Sequence, residues 1–269
     1  MNAKDLIAAG KLMEARAQLT GEVKAAPSDA AKRVLLFQVL AFLGEWEKAE
    51  RHLDMVVSLN PTSETGVQVY MNTIHAEKER REVMAGKRRP GFVTGAPSYL
   101  DLYLAAWNEL KKGKPEEAAR MYKRVEAQRR PVSGSVDGKR FDGFLDTDAF
   151  LSCFLEVIVH DRYIWISFDS IRELSVDPPK TLFDLLWIPA RLMTWEGVSL
   201  HCYIPVLYVD SSAQADERIK LGRMTEWLPL GGPFYKGVGR RVFQAGEDDI
   251  PLLELREVSF DFAHGEERS

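Results

Sequence analysis

Hydrolysis by an activated nucleophile needs a Ser or Cys held at a sharp turn with a His brought beside it. This chain has no Gly-x-Ser-x-Gly. Its two cysteines, Cys153 and Cys202, sit inside apolar runs, where a thiol behaves as a small core side chain. The histidines His52, His75, His160, His201 and His264 are scattered, and none stands at metal-ligand spacing from another His or from a Cys. Asp142, Asp146 and Asp148 cluster, but the alternating oxygen ligands, Gly and closing Glu of a calcium loop are missing, so turn and cap duty is expected of them. The stretch Leu230-Gly-Gly-Pro-Phe-Tyr-Lys-Gly-Val-Gly239 lacks the Lys-Ser/Thr of a phosphate loop, and Pro233 marks a β-turn connection. The expectation is a chain with no catalytic residue, no metal and no cofactor, which works through a surface. The alternative is a small-ligand or enzymatic site in residues 132–269, which would need a concave pocket with convergent polar groups.

The whole-chain figures agree with a water-exposed globular protein: 269 residues, 45% hydrophobic and 28% charged. Charges spread through the first twenty residues argue against a secretory signal, and no apolar run reaches the roughly 20 residues of a membrane span. Two cysteines suit a reducing compartment, so the cytoplasm is the expected location. The net charge of −4 divides unevenly. Residues 1–61 balance at 8 basic against 8 acidic; residues 62–131 carry 14 against 9, or +5; residues 132–269 carry 14 against 23, or −9. The basic middle contains Lys78-Glu79-Arg80-Arg81 and Lys87-Arg88-Arg89, but no nucleic-acid reading motif accompanies them. A solvated helix face is the expected reading, without nucleic acid as a partner.

The elements that would carry a binding surface come from a repeat. A shift of 34 places Gly10 on Gly44, Ala15 on Ala49, Leu19 on Leu53, Val23 on Val57 and Pro27 on Pro61. Gly where two antiparallel helices turn, Ala where they cross closely and Pro where the unit closes are the marks of a tetratricopeptide-like array. A third, less regular copy runs from Ser98 to Pro131, with Gly113 followed five residues later by Ala118. Between the second and third copies, Ser63–Ala85 reads as one long helix ended by Gly86.

Beyond Pro131 the texture changes to β-branched and aromatic runs broken by turns. Residues 132–138 read as a linker or hairpin. Tyr163–Phe168, Leu185–Met193, Val198–Ile204, Gly239–Gln244 and Leu252–Val258 read as strands. Phe150–Val159 suits either state, and Asp148 as an N-cap tips it toward helix. The predicted fold class is α+β: helical repeats over residues 1–131, then a β-rich domain over residues 132–269.

In such arrays the first helix of each pair lines a concave groove suited to an amphipathic helix or an extended peptide. Counting from the turn glycines, that face should hold Val34, Gln38, Ala41 and Phe42 in the second pair, and Tyr103, Trp107 and Leu110 in the third. Packing of these residues on the chain's own intervening helix or β-rich half is the competing expectation.

Four further segments carry a resemblance. They are Phe154-Leu-Glu-Val-Ile-Val-His-Asp-Arg-Tyr-Ile-Trp-Ile-Ser-Phe-Asp-Ser-Ile-Arg172, Pro178-Pro-Lys-Thr-Leu-Phe-Asp-Leu-Leu-Trp-Ile-Pro-Ala190, Arg223-Met-Thr-Glu-Trp227 and Pro251-Leu-Leu-Glu-Leu-Arg-Glu-Val258. With the Gly86-Lys-Arg-Arg-Pro90 loop, the chain resembles the ImpE/TagJ accessory proteins of type VI secretion over nearly its whole length. The resemblance implies an adaptor that binds the N-terminal helix of the small, TssB-like sheath subunit. It also implies a link to the ClpV unfoldase that recycles contracted sheath. No catalytic residues come with it.

Overall fold

The computed structural model describes residues 1–262. Asn2 and Asp5 cap the first helix reciprocally, side chain to backbone, and start α1 (Ala3–Ala8). There follow α2 (Leu12–Ala25), α3 (Ala30–Phe42), α4 (Trp46–Leu59), α5 (Glu64–Met84), α6 (Leu100–Lys111) and α7 (Pro115–Glu126). Helix α1 packs on α2, α3 on α4 and α6 on α7, while α2 meets α3 and α4 meets α5. Each of the three pairs turns through a left-handed glycine: Gly10 (φ 80°), Gly44 (φ 70°) and Gly113 (φ 72°). That conformation costs a side-chain-bearing residue energy and glycine almost none. Ala15, Ala49 and Ala118 are fully buried where the helices of each pair meet.

The strands are β1 (Ser133–Val136), β2 (Lys139–Asp142), β3 (Phe144–Asp146), β4 (Phe154–Val159), β5 (Arg162–Ser167), β6 (Ile171–Val176), β7 (Trp187–Thr194) and β8 (Ser199–Pro205). After the short helix α8 (Glu217–Lys220) come β9 (Thr225–Gly231), β10 (Phe234–Gly239), β11 (Val242–Ala245), β12 (Asp248–Pro251) and β13 (Glu257–Phe260). Eight form one sheet in the order β2-β1-β13-β6-β7-β8-β4-β5; β12-β11-β3 and β10-β9 form two smaller ones. The strand pairs within these sheets are antiparallel.

Three local expectations are corrected. Residues 150–159 do not form a helix: β4 occupies Phe154–Val159. The Asp148 carboxylate accepts from the N–H of Phe150 at 2.9 Å and from that of Gly237 at 2.8 Å, tying a turn to another strand. Gly239–Gln244 is broken by Arg240-Arg241 between β10 and β11, because Arg241 is turned into the core. In Leu252–Val258 only the end is strand, since Leu252 and Leu255 are fully buried in a turn that precedes β13.

Helix gives way to strand near residue 131, but the core does not divide there. One cluster of buried apolar side chains runs through both halves. The first helix turn is also held from the β side. The Glu217 carboxylate accepts from the N–H groups of Leu12 (2.7 Å) and Met13 (2.9 Å), capping α2 from α8. Arg223 donates to the carbonyls of Ile7 (2.8 Å) and Ala8 (2.9 Å), at the end of α1. An acid at a helix N-terminus and a guanidinium at a C-terminus match the helix dipole and satisfy backbone groups that the helices leave open.

Candidate functional site

The face predicted to be an open groove is instead covered, and from Ala41, Phe42, Tyr103 and Trp107 it meets the β half at a seam. Gln38, Ala41, Phe42, Tyr103, Trp107 and Leu110 are buried, and Val34 is half-buried against the same core. The Tyr103 ring meets Phe154 edge-on at 5.0 Å and Trp165 at 6.5 Å, and its hydroxyl donates to the Phe150 carbonyl at 3.0 Å. Trp107 lies 4.5 Å from Phe150. On the other side of the seam Trp46 packs near Trp187 and Tyr70 against Phe183. The expectation of a surface-exposed face at these positions is therefore corrected. Their apolar area faces a sheet whose own apolar residues need cover, and burying both together is favourable.

Beside these rings lies a lattice of charges. Arg80 on α5 donates from Nε to Glu156 on β4 at 2.9 Å, from Nη1 to Glu77 at 3.1 Å and from Nη2 to the Leu207 carbonyl at 2.8 Å. Arg241 also pairs with Glu156, donates to Asp146 at 2.7 Å and to the Pro205 carbonyl at 3.1 Å, and lies 5.4 Å over the Tyr208 ring. The Tyr163 hydroxyl donates to Glu156 and that of Tyr208 to Asp146. All these charged groups are buried. Glu79 and Arg80 thus leave the solvated face expected of Lys78–Arg81; Arg80 is only 2% exposed. Asp146 and Asp148 do serve turns, through the N–H groups of Asp148 and Phe150, but Asp146 also anchors Arg241.

Two guanidiniums here face four carboxylates, those of Glu77, Glu156, Asp146 and Asp148. Burial pushes the Asp146 carboxyl up to about 6 against the pull of Arg241, with the nearby Asp148 adding to the rise. Burial also raises Asp148, opposed by the N–H groups of Gly237 and Phe150. Burial brings Arg241 down to about 10, with Asp146 opposing. A space of about 30 Å³ lined by Glu77, Arg80 and Tyr208 has room for about one water. Burial lifts the thiols of Cys153 to about 11 and Cys202 to about 12, far from the thiolate a nucleophile needs. Among the described residues no group of three His, Cys, Asp or Glu could hold a metal ion, and no helix is long and apolar enough to cross a membrane.

One signal of this lattice was present in the sequence. Glu156 is the lone charge in Phe154-Leu-Glu-Val-Ile-Val159, a run too apolar to leave a carboxylate unpaired. Its partners Arg80 and Arg241 are 76 and 85 residues away, and nothing local marks them.

Of the grooves open among the described residues, one of about 580 Å³ lies beside Tyr99 and Trp195, and two lie along α5. One, of about 510 Å³, lies between α5 and strands β7 and β8, with Val69, Ile158, Pro189, Arg191 and Tyr203 in its lining. The other, of about 370 Å³, lies at the C-terminal end of α5.

A helical-pair array whose inner face is sealed by an antiparallel β unit through a buried ionic lattice defines the class of architecture. Residues 138–259 match the model of the ImpE protein family. Over 261 residues, 97% of this chain and 92% of the relative, the sequence is 34% identical to the type VI secretion system accessory component TagJ of Pseudomonas aeruginosa. The crystal structure of protein VPA1032 from Vibrio parahaemolyticus has the same fold, with a TM-score of 0.85 at 20% identity over 96% of this chain and 97% of that one. The chain belongs to the ImpE/TagJ family.

Proposed function

We propose that the chain is a non-enzymatic accessory component of type VI secretion that acts in the cytoplasm as an adaptor for the contractile sheath. The observation that carries this reading is the 34% identity to the TagJ component across 97% of the chain. Helix pairs with turn glycines at residues 10 and 44 support a tetratricopeptide-like reading of residues 1–131, with residues 132–269 as their brace. The partner is the N-terminal helix of the small, TssB-like sheath subunit, with the ClpV unfoldase as a second contact.

Because the chain covers its own inner helical face, the sheath helix docks on a surface that stays open. The groove between α5 and strands β7 and β8 suits it, with apolar Val69 and Pro189 beside polar Arg191 and His201. Calorimetric titration with a synthetic peptide of the sheath subunit's N-terminal segment tests the reading. Binding of about −8 to −12 kcal/mol, micromolar to nanomolar, is expected. Absence of heat at high micromolar peptide would remove the sheath assignment. Retained binding in Val69→Asp would move the docking site off this groove.

A further inference from the structure

We propose that the second groove, at the C-terminal end of α5, binds an acidic segment of a partner protein that also carries apolar side chains. The proposal holds whichever protein supplies the segment and does not depend on the sheath assignment. The groove is formed where the helical and β halves meet. Its walls are the last turn of α5, Trp107 on α6, the turn at Val209-Asp210 and Lys236 on β10. A smaller recess of about 170 Å³ shares Lys87 and Trp107 and extends toward Phe150.

Charge sets the chemistry of the occupant. Lys236 is matched by Asp210, and Arg88 takes Glu79 and Glu82. Arg81 and Lys87, both exposed in the lining, form no ion pair among the described residues. Lys111 is also without one, and its ammonium is held against Gly86, 2.9 Å from where a Cβ would stand there. Two cations of the lining, Arg81 and Lys87, are therefore left unmatched, and Lys111 stands outside it beside Gly86. The end of α5 explains part of their clustering. Its last carbonyls are closed by the N–H groups of Gly86 and Lys87, and the negative pole of the helix favours cations nearby.

The helix end does not explain the apolar half of the lining. Met84, Trp107 and Val209 share the groove with the cations. The indole N–H of Trp107, in a side chain 6% exposed, has no acceptor among the described residues. That nitrogen is itself closed off from solvent, so it bears on the packing around the ring and not on an incoming chain. Carboxylates for the cations and an aliphatic side chain for Met84 and Trp107 describe an acidic peptide. A nucleic acid duplex fits less well, because the wall of Met84, Trp107 and Val209 offers a phosphate backbone no partner.

The test uses the full chain and a short fluorescein-labelled peptide of glutamate and leucine at helical spacing, followed by anisotropy at low ionic strength. Binding is expected, weakened by added salt and absent for the counterpart with lysine in place of glutamate. The double variant Arg81→Glu/Lys87→Glu should bind about tenfold more weakly or worse. Lys123→Glu, an exposed charge reversal on α7, should bind as the parent does. No binding of the glutamate peptide, equal binding by the double variant, or equal competition by a nonspecific DNA duplex would each overturn the proposal. A sheath peptide that fails in calorimetry while this probe binds would sink the sheath assignment and leave the groove intact.

Discussion

The seam between the two halves contains two kinds of contact. Around Tyr103, Phe154 and Trp165 it is aromatic, and rings meet at 4.9 to 6.5 Å in tilted and edge-on pairs. Around Arg80, Glu156 and Arg241 it is ionic, and each guanidinium is shared among two carboxylates and a backbone carbonyl. The aromatic part gains free energy roughly in proportion to the area buried and tolerates small shifts of one half against the other. The ionic part gains little net energy over an apolar replacement, because desolvating charges opposes their attraction, but it is satisfied in only one arrangement. Rings hold the seam closed; charges set its alignment.

The largest effect that tests this contrast is expected from Arg241→Met. It leaves Asp146 facing its neighbour Asp148 and removes one of the two cations on Glu156. A loss of about 3–5 kcal/mol in urea unfolding is expected. A loss below about 1 kcal/mol would assign the seam to its rings alone. Tyr103→Phe keeps the ring and takes only the hydroxyl that serves the Phe150 carbonyl, so about 1–2 kcal/mol is expected. A loss as large as that of Arg241→Met would mean that the aromatic part is also held by polar geometry. Next comes Glu217→Ala, which uncaps α2 away from the seam. About 1 kcal/mol is expected, with faster amide exchange confined to the first turn of α2. Exchange that rises throughout the helical half would show that the cap does more than finish one helix.

The smallest effect is one of pH. With its carboxyl at about 6 in the folded chain against about 3.9 unfolded, Asp146 holds more protons folded than unfolded between those values. Its contribution to stability is therefore greatest below about pH 4 and declines as pH rises toward 6. Asp146→Asn removes that decline, so its urea midpoints should rise relative to the parent's across this window. Parallel curves would place the titration elsewhere. Carboxylates held low act in the opposite sense and lose their contribution as pH falls. Asp216, hydrogen-bonded by Arg218, and Asp261, hydrogen-bonded by Arg140, are of this kind.

Local chemistry made much of the fold legible. The spacing of Gly10, Gly44 and Gly113 from Ala15, Ala49 and Ala118 marks helix pairs, because a left-handed turn and a close crossing each admit few residue types. Runs of β-branched and aromatic residues broken by turns marked β5, β7 and β8 for the same reason of local fit. Residues 150–159 were misread because a helix cap and a turn-forming carboxylate have the same signature in sequence, and only the position of Gly237 distinguishes them. The candidate site was less legible. The positions of Val34, Phe42, Tyr103 and Trp107 on one helical face follow from periodicity, whereas what covers that face does not.

Helix pairing, the change to strands near residue 131 and the want of an ordinary catalytic motif were thus determined by residue types acting over a few positions. Closure of the inner face, the sharing of Glu156 between Arg80 and Arg241, and the two unmatched cations beside Trp107 were decided only by the tertiary structure. Those features depend on groups well separated along the chain meeting in low dielectric. An apolar surface or a charge carries no mark in its own neighbourhood of which distant partner will take it out of water.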